Sequence, residues 1–109
     1  MNEKELIPLR QRYPNHVFVL VSPSQRSDLP PLDKHKYIVN KTTRVGEFMY
    51  ILRKRMALPA EKAMFLFVEN TIPTSSQTMA ELMSLYGSKG YLEMIYTGES
   101  TFGSKSGDT

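Results

Sequence analysis

Val17-Phe18-Val19-Leu20-Val21 is an unbroken run of β-branched, aromatic and aliphatic residues. A run this short and this apolar reads as a strand buried on both faces, and the rest of the chain is ordered around it. Upstream lies a polar segment with two prolines. Pro8 suits a first helical position, which predicts a short helical turn through Leu9, Arg10, Gln11 and Arg12, ended by Pro14. Downstream, Ser22 to Pro31 is rich in Ser, Pro and Asp and reads as a loop. Lys36-Tyr37-Ile38-Val39 follows as a second, shorter strand with charge at its mouth.

From Val45 the apolar period becomes helical. Val45, Phe48, Met49, Leu52 and Met56 recur at three- and four-residue steps, with Glu47, Arg53, Lys54 and Arg55 on the wet side. Thr42 or Thr43 is the expected N-cap and Leu58-Pro59 the expected close. Met64 to Val68 is a further strand. Thr78-Met79-Ala80-Glu81 matches a capping box and opens a second helix carrying Met79, Leu82, Met83 and Tyr86. Gly87 and Gly90 bracket a turn, and Tyr91 to Tyr96 is the last strand. The order strand, strand, helix, strand, short helix, strand predicts an α+β fold: one sheet covered by a helix. The first and last strands are the most apolar and are expected to pair at the centre, leaving Lys36–Val39 nearer an edge. Residues from Thr97 to Thr109 include one large apolar side chain, Phe102, and are expected to form a flexible tail. The expected organisation is a helical segment over 1–14, a domain over 15–97 and a tail over 98–109.

The 109 residues make one domain, and 14 basic against 11 acidic residues give a net charge of +3. That is too mild for a dedicated nucleic-acid binder, and no nucleic-acid partner is expected. An RNA reading would rest on Lys34, Lys36, Arg53, Lys54 and Arg55, with only Tyr37 to stack on a base. There is no cysteine, so disulfides and thiol nucleophiles are excluded, in keeping with a reducing compartment. Met1-Asn2-Glu3-Lys4-Glu5 is charged with no apolar stretch behind it, so no secretory signal is expected. The run from Val17 to Val21 is far short of the roughly 20 residues a membrane helix needs, so membrane attachment would have to be peripheral or covalent. His16 and His35 are the only histidines; Asp33, two residues from His35, reads as its surface partner rather than as half of a catalytic dyad. No phosphate loop, HExxH or GxSxG pattern occurs, so neither an enzyme nor a cofactor is expected.

Several stretches together carry a resemblance. They are Arg12-Tyr13-Pro14, Asp33-Lys34-His35-Lys36-Tyr37-Ile38-Val39, Val45-Gly46-Glu47-Phe48, Ile51-Leu52-Arg53-Lys54-Arg55, Glu61 through Val68, and Tyr96 through Gly103. In this order the chain resembles the autophagy ubiquitin-like modifiers, of the microtubule-associated protein light chain and GABA-receptor-associated protein type. The resemblance implies a ubiquitin-like β-grasp with a shortened N-terminal helical addition. The segment before Tyr13 is about half the family's usual length. Asn40 stands where relatives often carry proline, and the Gly87–Gly90 loop is short. With so short an N-terminal segment, the resemblance leaves tubulin contact and membrane tethering by the N-terminal arm open.

What the resemblance implies for function is a precursor cut between Gly103 and Ser104, with Phe102 upstream, by a processing cysteine protease. Activating and conjugating enzymes of autophagy would then pass the Gly103 carboxylate to phosphatidylethanolamine. The cytoplasmic protein would thereby move to the autophagosome membrane. Glycine suits that role because a backbone ending without a Cβ threads narrow clefts. The resemblance also implies docking of cargo receptors through acidic-aromatic linear motifs that add to the sheet edge. Leu9, Phe18, Lys36, Ile38 and Tyr91 would hold an aromatic anchor, and Tyr37, Val39, Phe48 and Ile51 an aliphatic one. Lys34, Lys36 and Arg55 would meet acidic neighbours of the motif, steering encounter. Phe48 reads equally as core and as pocket, the two not excluding each other. For Ile51 core is the alternative, and the basic run at Arg53–Arg55 reads as a wet helix face. The alternative function is a peptide-binding adaptor of the same fold that is never conjugated.

Overall fold

The computed structural model describes residues 1–98. Four strands form one sheet in the order β2-β1-β4-β3: β1 (His16–Pro23), β2 (Lys36–Asn40), β3 (Phe65–Phe67) and β4 (Leu92–Thr97). The strand opened by Val17 is indeed central. It runs antiparallel to β2, with Val19 opposite Tyr37, and parallel to β4, with Val19 opposite Leu92. Lys36–Asn40 lies at one edge and β3, antiparallel to β4, at the other.

Because side chains alternate across a strand, β1 divides its apolar run between two layers. Val17, Val19 and Val21 share one face with Tyr37, Val39, Leu92, Met94 and Tyr96, all buried. Helix α2 (Val45–Met56) covers that face with Val45, Phe48, Leu52 and Met56, and α3 (Met79–Tyr86) adds Met79 and Leu82. Phe18 and Phe67 are buried on the opposite face, where α1 (Glu3–Arg12) packs through Leu6. The central strand therefore needs apolar side chains in both directions.

Two expectations are corrected. Helix α1 is ten residues long and begins at Glu3, with Pro8 inside it rather than at its start. The cause is a capping box: Glu5 N–H donates to Asn2 Oδ1 at 3.0 Å and Asn2 N–H to Glu5 Oε1 at 3.4 Å. That nucleates the helix upstream of Pro8, whose missing donor costs one bond to the Lys4 carbonyl. The N-cap of α2 is Arg44, not Thr42 or Thr43; its amide donates to the Glu47 carboxylate at 2.8 Å. The threonines are engaged elsewhere. Asn40 Oδ1 accepts from Thr42 N–H at 3.0 Å and from its hydroxyl at 2.8 Å, making an Asx turn. The Thr43 carbonyl accepts Met79 N–H at 2.8 Å, which ties the start of α3 to the start of α2. The capping box of α3 is formed as expected, with Glu81 N–H donating to Thr78 Oγ1 at 3.2 Å.

Candidate functional site

An edge strand offers a neighbour half of its main-chain groups, and the register of β1 with β2 says which half. Val21 N–H donates to the His35 carbonyl at 2.8 Å and Lys41 N–H to the Asn15 carbonyl at 3.0 Å. In an antiparallel ladder such hydrogen-bonded pairs alternate, so His35, Tyr37 and Val39 turn their main chain inward. Lys36 and Ile38 turn theirs outward, toward the open side of β2, which has no sheet neighbour among the described residues.

Side chains follow the same alternation. Lys36 and Ile38 lie with Phe18 on the α1 side of the sheet, and Phe18 stands opposite Ile38. Tyr37 and Val39 lie on the α2 side, where the Tyr37 ring meets Phe48 edge-on at 5.5 Å between centroids. Lys36, Ile38, Ile51, Lys34 and Arg55 are exposed, Leu9 and Tyr91 half-buried, and Phe18, Tyr37, Val39 and Phe48 buried. The candidate aliphatic subsite therefore consists of a buried floor with Ile51 at the surface. Phe48, fully buried, is core. Tyr91 lines a groove of about 420 Å³ on the α1 side of the sheet, with Leu20, Phe67, Tyr86 and Glu93.

The basic residues are not free. Lys36 Nζ donates to Glu5 Oε2 at 2.6 Å, reaching from the edge strand to α1. That bond holds the Glu5 carboxyl below the usual range. Arg55, from the last turn of α2, donates through Nε and Nη2 to both oxygens of Asp33, at 3.2 and 3.0 Å. Asp33 thus pairs with Arg55 rather than with His35, whose Nδ1 lies 3.1 Å from the Val21 carbonyl. Lys34 Nζ sits 5.3 Å from the Tyr37 ring centroid. Burial pushes the Tyr37 phenol up, with the nearby Arg55 guanidinium opposing; no group meets the hydroxyl in ordinary hydrogen-bond geometry. Buried in this way, Tyr37 cannot stack on a nucleic-acid base.

The sequence did not single out Glu5 or Asp33 as neighbours of these cations. The pairs span 31 and 22 residues, and no local pattern announces contacts at that separation. Gly103, Ser104 and Phe102 lie outside the described residues. Strand β4 ends at Thr97 and leads to them past Gly98, against Asp28 and Leu29.

No helix among the described residues is long and apolar enough to cross a membrane. Comparison with known proteins gives one consistent result. Residues 1–103 match the family described as "Autophagy protein Atg8 ubiquitin like". Autophagy-related protein 8c of Arabidopsis thaliana is 44% identical over 96 residues, 87% of this chain and 81% of the relative. Autophagy-related protein 8a of the same plant is 43% identical over 97 residues, 88% of this chain and 80% of the relative. The crystal structure of Trypanosoma brucei ATG8 superposes with a TM-score of 0.82 at 37% identity, covering 92% of this chain and 87% of that one. A Plasmodium falciparum Atg8, solved in complex with a Plasmodium falciparum Atg3 peptide, gives 0.79 at 34%, covering 89% and 87%. The mixed sheet, the helix across its core face and these likenesses agree: the chain belongs to the Atg8 family of ubiquitin-like autophagy proteins.

Proposed function

We propose that this protein is processed after Gly103 and conjugated through that glycine to phosphatidylethanolamine. In this reading it docks partner segments along the outer edge of β2. The observation that carries the first part is the extent of the family match, which covers residues 1–103 and stops at the glycine. Removing Ser104 to Thr109 takes away one Lys and one Asp, so the cut leaves the net charge unchanged and serves as a licensing step. A lipid with two acyl chains anchors durably where one would be marginal.

The docking half rests on the open edge, where Lys36 and Ile38 present main-chain donors and acceptors beside exposed Ile38 and Ile51. An extended segment adding there makes β-type hydrogen bonds and lays its apolar side chains against that surface. A peptide of the conjugating enzyme is one such partner, by analogy with the Plasmodium complex; cargo receptors are another.

The test is the intact mass of the full chain after incubation in a lysate of its own cells, beside Gly103→Ala. Loss of Ser104–Thr109 from the native chain alone, followed by a gain matching a phospholipid, is expected. A chain that stays intact to Thr109 would overturn the conjugation reading and leave an adaptor.

A further inference from the structure

The two cations flanking the docking edge are each covered by a carboxylate of the chain itself. Glu5 comes from α1, across the end of β2, and Asp33 from the approach to β2. Both pairs are solvent-exposed, with side-chain exposures of 57% and 41% for Lys36 and Glu5 and 38% and 71% for Arg55 and Asp33. Exposed pairs of this kind are weak and exchange readily. Nor do the two carboxylates serve the core. Glu5 caps α1 with a side-chain oxygen that glutamine would supply equally, and Asp33 is exposed with Arg55 as its ion-pair partner.

Resting on the docking reading above, we propose that Glu5 and Asp33 are specificity-determining residues of the β2 edge. They occupy Lys36 and Arg55 until an extended peptide replaces them with its own carboxylates. Each acidic group of the ligand then substitutes for an internal one and adds no net ion pair. Affinity is left to strand addition and the apolar anchors, and acidity alone does not bring a chain to this edge. Lys34, over the Tyr37 ring, remains to steer approach.

The test uses the full chain and two synthetic peptides. One carries an aromatic and an aliphatic anchor flanked by glutamates; the other has glutamines in their place. For the wild type the two should bind within about twofold of each other, with a shallow salt dependence. In Glu5→Gln, Asp33→Asn and the double variant, the glutamate peptide should tighten about two- to fivefold per carboxylate removed. Its salt dependence should steepen, and the glutamine peptide should not change. Asp28→Asn makes the same charge change at the Lys62 pair, away from the edge, and should do neither. Binding of both peptides that ignores the Glu5 and Asp33 substitutions overturns the inference alone, as does an equal gain for both peptides or an equal response to Asp28→Asn. Absence of any peptide binding, by wild type and variants alike, removes the docking reading and this inference with it.

Discussion

Tyr37 stands edge-on to Phe48, ring centroids 5.5 Å apart and planes at 85°, and this contact joins the docking strand to the helix beneath it. The position of β2 thus depends on core packing. Phe48→Ala should cost about 3–5 kcal/mol, read from the shift in urea midpoint. Tyr37→Phe keeps the ring contact and removes a buried hydroxyl that lies near Arg55 but outside ordinary hydrogen-bond geometry. It should stabilise by on the order of 1 kcal/mol, and a lower melting temperature would show that the hydroxyl is satisfied in solution.

Gly90 has φ +91°, in the left-handed half of the map, and a Cβ there would meet the Arg10 guanidinium and lie 3.2 Å from Leu6 Cδ1. It is the point where α1 rests on the approach to β4. Gly90→Ala should cost about 1–2 kcal/mol from backbone strain and further loosen α1. Hydrogen exchange should quicken along Glu3–Arg12 while α2 stays protected; equal loss in both helices would mean that α1 is not a separable layer.

Ala57 closes α2 with φ 54° and ψ 41°, a left-handed conformation that costs any residue with a Cβ. Ala57→Gly relieves that cost and should raise stability by about 0.5–1 kcal/mol. Thermal melting decides it, and a destabilised variant would place the cost elsewhere.

Acidification should weaken the exposed ion pairs of α1 before it disturbs the core. Arg10 holds the Glu3 carboxyl below its usual range and Lys36 does the same for Glu5, in each case mainly through the hydrogen bond it donates. A carboxyl depressed in the folded state stabilises fully above its unfolded value, about 4.3, and loses that contribution as pH falls through the lower folded value. The Leu6 methyl resonances should therefore hold steady from pH 7 to about 5 and shift below about 4. In Glu5→Gln part of that shift should disappear.

The sequence alone determined the elements and their order. Val17–Val21 could be read as central because a strand apolar in every position needs two covered faces. The period of Val45, Phe48, Leu52 and Met56 could be read as a helix because local spacing sets which side chains share a face. The ends were less legible where two caps competed. Asn2 and Glu5 formed a capping box ahead of the more conspicuous Pro8, and Asn40 drew Thr42 into a turn. Membership in the Atg8 family was also legible, being carried by several short stretches in a fixed order. Tertiary structure alone decided which residues of the edge are available. Alternation in β2 turns Lys36 and Ile38 outward and buries Tyr37 and Val39, but only packing against α1 and α2 tells which side is which. The partners of Lys36 and Arg55 arise from folding the chain back over 31 and 22 residues. Charge acts through space, so a cation that reads as free along the chain can be covered by a carboxylate far from it in sequence.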